Sequence, residues 1–153
     1  MASAFTLDLS GMQAFVAAVG EGAQKQIRPA AQAGAQVLYD EVLQRVPTSS
    51  KGHWFHGTSF KVNGEKYFFD AGSLKAAIYQ AFSKDNSGDS VSTYHISWNH
   101  KKVPYGFMVE FGTSRAPANP FLGNSWEAKL GAAKEAAEAR YTQGLQEVIK
   151  AAQ

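Results

Sequence analysis

Residues 105–122 read YGFMVEFGTSRAPANPFL. Tyr105, Met108 and Val109 recur at spacings of three and four, so they share one face of a short helix, and Phe107 and Phe111 fall on the adjacent face. Pro104 suits the first position of that helix. A helix apolar over so much of its surface is expected to wedge between other elements. Gly112 ends it with positive φ. A polar loop follows at 113–119, and Pro120-Phe121 pins the chain as it enters a long last helix. Glu110 stands near the C-terminal end of the short helix, where the macrodipole disfavours an acid. It is therefore expected to find a partner: Arg115, a lysine of Lys101-Lys102, or a neighbouring subunit.

Downstream, Asn124 or Ser125 is the expected cap of the last helix, with Trp126, Leu130, Ala133, Ala137, Tyr141, Leu145 and Val148 on one stripe. Upstream, VSTYHISW alternates, with Tyr94, Ile96 and Trp98 on the core face and Val91, Thr93, His95 and Ser97 opposite. The preceding SLKAAIYQAFSK is expected to be its partner strand across the turn DNSGDS. Residues 48–70 are rich in glycine, polar and aromatic residues. Asn63-Gly64 sits there between Phe60, Val62 and Tyr67, Phe69, which predicts a projecting β-hairpin at 58–69. Near the N-terminus Phe5, Leu7 and Leu9 alternate. Helical spacing then runs through Met12, Phe15, Val16 and Val19, and again through Ile27, Ala31, Gly34, Ala35, Leu38, Val42 and Val46, stopped by Pro47. These form one short and one long helix, or one kinked helix. The small residues of 29–35 allow another element to approach closely, within the chain or in another subunit. Helices segregated on one face of a small antiparallel sheet make an α+β fold, in one domain spanning 1–153.

The chain has 153 residues, net charge +2 and no cysteine, which excludes a disulfide framework and thiolate metal sites. Neither a secretory signal nor a membrane span is expected. His53 and His56, and His95 and His100, lack the companions of a zinc signature, so no metal and no cofactor is expected. No nucleophile elbow and no phosphate loop occurs, and Glu110 has no second acid or histidine at a useful spacing. No catalytic residue is assigned, and the chain is expected not to be an enzyme. A hydrolase built on Glu110 and His95 is a distant reading. The lysines at 61, 66, 101 and 102, with aromatics interleaved, keep a small nucleic-acid-binding module open as an alternative.

The order of several motifs carries a resemblance. Val46-Pro47 ends a helix, and Asp70-Ala71-Gly72-Ser73-Leu74 comes later. Val103-Pro104-Tyr105 then leads to Val109-Glu110-Phe111-Gly112-Thr113, and Pro120-Phe121-Leu122 precedes the long helix. This resembles the tail-completion, or head–tail joining, family of long-tailed bacteriophages, over about residues 9–150. Two departures stand out: residues 48–70 look like an insertion, and Gly106 stands where the family has alanine, a change expected to weaken the helix start slightly. The resemblance implies a structural protein of the virion neck or tail, assembled in the host cytoplasm as a homo-oligomeric ring, commonly of six subunits. It implies contact with a tail terminator or tail-tube protein and with a head connector or stopper. DNA passes through the lumen without specific binding. A terminator or stopper role is the near alternative. Tyr105, Glu110, Phe111, Gly112, Thr113, Pro120 and Phe121 are then the fold and subunit-contact motif. Trp54, Phe55, Phe60, Tyr67 and Phe68 of the inserted hairpin are candidate docking residues.

Overall fold

A computed structural model of the chain describes residues 10–54 and 66–153. The elements in order are α1 (Ser10–Arg45), β1 (His53–Trp54), β2 (Phe68–Phe69), α2 (Ser73–Ala77), β3 (Ile78–Gly88), β4 (Val91–Trp98), α3 (Gly106–Phe111) and α4 (Phe121–Ala152). Two long helices packed together and against small antiparallel sheets make the fold α+β, as expected. Among the described residues no helix is long and apolar enough to cross a membrane.

The N-terminal helix is continuous through Pro29. It runs antiparallel to α4: Gly22 meets Val148, and Gly34 meets Ala133 and Ala137. The small residues of 29–35 therefore serve packing within the chain. A Cβ on Gly34 would stand 2.8 Å from the carbonyl oxygen of Ala133, so the two backbones come closer there than side chains would permit. The same register brings buried Glu41 to Lys129 of α4, 3.9 Å away, while Arg45 binds its other oxygen at 2.6 Å. Met12 and Val16, 62% exposed, lie on the first turns of α1, before the residues that face α4.

The strand expected over residues 73–84 is only partly one. Ser73–Ala77 form one helical turn, and β3 begins at Ile78. Leucine, lysine and alanine favour helix, and the β-branched and aromatic residues follow them. Gly72, at φ 73°, sets the turn, and Ser73 Oγ donates to the Asp70 carbonyl at 2.6 Å. β3 and β4 pair from Ile78↔Trp98 to Ser83↔Thr93, then shift register before Gly88↔Val91. The extra residues are held by side chains: Ser87 Oγ donates to the Ser83 carbonyl at 2.6 Å, and Thr93 Oγ1 to that of Asn86 at 2.7 Å. Ile96 and Trp98 turn inward as expected.

The hairpin expected around Asn63-Gly64 lies outside the described residues. What is described is a short pairing on either side of that segment, His53↔Phe69 and Trp54↔Phe68. The core gathers Val42, Val46, Leu74, Ala77, Ile78, Val103 and Phe121, with Trp98, Tyr105 and Val109 packed against it. Trp126 does not join it: it is 55% exposed, and the buried stripe of α4 runs instead through Phe121, Ser125, Ala133 and Gly144. Beyond Phe121 that stripe is made of small residues, and α1 approaches closely at Ala133 and Gly144.

Gly106 is more than a weakened helix start. Trp98 lies against its backbone, so a Cβ there would sit 2.7 Å from the indole Cδ1. The glycine and the tryptophan are one packing unit. Gly106→Ala should destabilise the fold by about 1–2 kcal/mol, overpacking outweighing helix propensity. In a Trp98→Val background the same change should cost nothing or stabilise, as read from urea midpoints. Equal losses in both backgrounds would disprove the pairing.

Candidate subunit-contact site

The corner from α3 to α4 is built on backbone geometry. Gly112 has φ 75°, and the chain folds back over it, so a Cβ would stand 2.7 Å from the amide nitrogen of Ala118. Either fact alone calls for glycine. Thr113 then closes a tight turn. Its amide donates to the Ala116 carbonyl at 2.8 Å, and its Oγ1 accepts from the amides of Arg115 and Ala116 at 3.2 and 3.1 Å. Asn119 donates its amide to the Val109 carbonyl at 2.8 Å, tying the loop back to α3.

Pro120 precedes α4 and supplies no side-chain cap. The first N–H groups of a helix have no partner within it. Glu110 provides one from outside. It is 6% exposed, its Oε2 accepts from the amide of Leu122 and its Oε1 from that of Gly123, each at 3.0 Å. A carboxylate at the positive end of a long helix is well placed electrostatically. The partners expected for Glu110 were Arg115, a lysine of Lys101-Lys102 or a neighbouring subunit, and the structure gives backbone amides of the same chain instead; Arg115 is exposed. Asn124 and Ser125 are not caps, because α4 already starts at Phe121; Ser125 is fully buried and its Oγ donates to the Phe121 carbonyl at 2.6 Å.

Tyr105 is half-buried, its ring edge-on to Phe69 at 4.7 Å and to His53 at 5.5 Å. Burial pushes its phenol above the usual tyrosine range, opposed in part by the backbone amide of Leu74. Tyr105, Glu110 and Phe121 are thus fold residues. α3 begins at Gly106, leaving Pro104 and Tyr105 in the turn before it.

The outer face of α3 departs from expectation. Instead of wedging inward, Phe107 and Phe111 stand 59% and 63% exposed, with their rings 4.6 Å apart. The inner face, Tyr105 and Val109, already fills the room against the core. In the β1–β2 pair, Trp54 and Phe68 meet edge-on at 5.1 Å and stay exposed, as does Tyr67 beside them; Phe55 and Phe60 lie outside the described residues. No hydrogen bond joins Glu110 to His95 among the described residues, and no group of three metal-ligating side chains occurs among them. An apolar groove of ≈ 410 Å³ opens between α1, β4 and the start of α4, lined by Leu38, Ile96, Leu122 and Trp126 among others. Phe111 belongs to the expected subunit-contact motif and Phe107 does not; the run of apolar residues on both faces of α3 is the signal that joins them.

No protein-family model matches the chain, and neither a curated protein nor a solved structure is similar to it.

Proposed function

We propose that this chain is a non-enzymatic structural protein of a bacteriophage neck or tail, which completes the tail for head attachment as a ring of identical subunits. The observation that carries the reading is the exposed Phe107–Phe111 pair on α3. Two aromatic rings side by side on a surface left open by the described residues suit a contact with another chain. The Glu110 cap and the Gly112 turn hold that helix rigidly, which lowers the ordering cost of a contact made on it. A head-to-tail repeat of one such contact closes a ring when its rotation allows. The motif order that resembles the tail-completion family supports the same role.

Removing the gene from its phage and imaging the lysate by negative-stain electron microscopy tests the reading. Filled heads beside finished, unattached tails are expected. Tails of uncontrolled length would move the role to a terminator, and normal infectious particles would overturn the neck assignment. Phe107→Ser with Phe111→Ser should reproduce the deletion phenotype while the purified variant keeps the parent's melting temperature, since both side chains are exposed. Intact virions from that double variant would remove α3 from the contact.

A further inference from the structure

Three separate segments near the β1–β2 pair carry exposed lysines. Lys51 and Lys66 flank the β1–β2 pair, Lys75 stands on α2, and Lys101 and Lys102 form the turn after β4. Two contacts and one groove bring these segments near one another. A Cβ on Gly52, next to Lys51, would stand 2.8 Å from Cε1 of Phe68. The amide of Asn99 donates to the carbonyl of Ala77 at 2.9 Å, which sets the 99–102 turn against α2. A groove of ≈ 360 Å³ is lined by Tyr67, Phe68, Asp70, Ala76 and Lys102. All five lysines are exposed, and among the described residues none forms an ion pair. Asp70 is the acid in the groove lining. Trp54 and Phe68 are 40% and 49% exposed at the same place.

We infer that this end of the molecule binds single-stranded nucleic acid, its lysines following the phosphates and Trp54 and Phe68 stacking on bases. Charge complementarity argues for a polyanion. The aromatics argue for one with exposed π-faces, which neither a duplex nor an acidic peptide offers. The inference is independent of the neck role, because it concerns the isolated chain and rests on residues other than Phe107 and Phe111.

The test is fluorescence anisotropy with the full chain and a labelled oligo-dT of about twenty nucleotides, long enough to span one site. Binding at about 50 mM salt should weaken with salt, log K falling with a slope of about −2 to −3.5 if three to five phosphates are contacted. Lys75→Glu with Lys101→Glu and Lys102→Glu should lower affinity by more than about tenfold and flatten that slope. Trp54→Ala with Phe68→Ala should lower affinity by about tenfold or more with the slope unchanged. All five positions are exposed, and unaltered thermal melts would show that the variants fold. Absence of binding at low salt would overturn the inference, as would binding indifferent to either variant. Competition by polyglutamate as strong as by oligo-dT would overturn it in favour of an acidic protein partner. A duplex bound more tightly than the single strand would overturn the stacking arrangement.

Discussion

Glu110→Ala is expected to lower the stability of the fold by about 2–4 kcal/mol, since two charge-assisted hydrogen bonds go and two amides at a part-buried helix start lose their acceptor. For a chain of this size that corresponds to a fall in melting temperature of about 5–15 °C. Glu110→Gln keeps the shape but offers one acceptor oxygen for two donors, so it should recover only part of the loss. Arg115→Ala is the discriminating control. If the acid were held by that cation, the control would destabilise comparably; with the cap described here it should change the melting temperature by no more than about a degree. Thermal denaturation followed by circular dichroism reads all three variants. The cap also explains why an acid is tolerated at the disfavoured end of α3. The macrodipole of a six-residue helix is outweighed by that of the 32-residue helix it faces.

Phe121→Ala carries the largest expected effect, about 3–5 kcal/mol. Phe121 is 1% exposed and joins the core cluster of Val42, Val46, Leu74, Ala77, Ile78 and Val103, with the Trp98 ring 6.1 Å away. A cavity there touches α1, α2, β3 and α4 together, so local collapse has little room to repair it. Because natural domains are stable by only ~5–15 kcal/mol, this variant should unfold at markedly lower urea concentration. Phe121→Leu should recover more than half of the loss by keeping most of the volume. Trp126→Ala, five residues along the same helix but 55% exposed, should stay within about 0.5 kcal/mol of the parent. A large loss at Trp126 would mean that the buried stripe of α4 had been misplaced. Since Leu122 and Gly123 bind Glu110, the Phe121 and Glu110 variants share a corner, and their effects should fall short of adding.

The fold class was legible because the periodicities are long. Thirty-six residues of α1 and eight of β4 leave little ambiguity about type. What failed to read were short or non-local features. Ser73–Ala77 is one turn, below the length at which a pattern separates helix from strand. Trp126 has the helical spacing of the stripe through Ala133 and Ala137, but spacing does not show that the seam selects Gly144 and Ala133 for their smallness. Gly112 was legible, since a helix end followed by a tight loop calls for positive φ. Glu110 was recognised as needing a partner but not which one, because two backbone amides 12 and 13 residues away carry no side-chain signature. The exposure of Phe107 and Phe111 was hidden for a similar reason: a helix apolar on two faces does not say which face the core takes.

The pairing of α1 with α4 also governs how the chain reaches its fold. Gln26 and Arg140, whose side chains meet across the seam, are separated by 114 positions. Contacts of such sequence separation form late, because the entropy of closing the loop must be met before the seam repays it. On the ribosome the small-residue face of α1 emerges first and stays uncovered until α4 follows. The β3–β4 hairpin can form as soon as it is synthesised, but the seam closes only when both ends of the described chain exist. The α1–α4 seam therefore waits for the synthesis of α4, and a nascent chain stalled before it exposes the surface that α4 would cover.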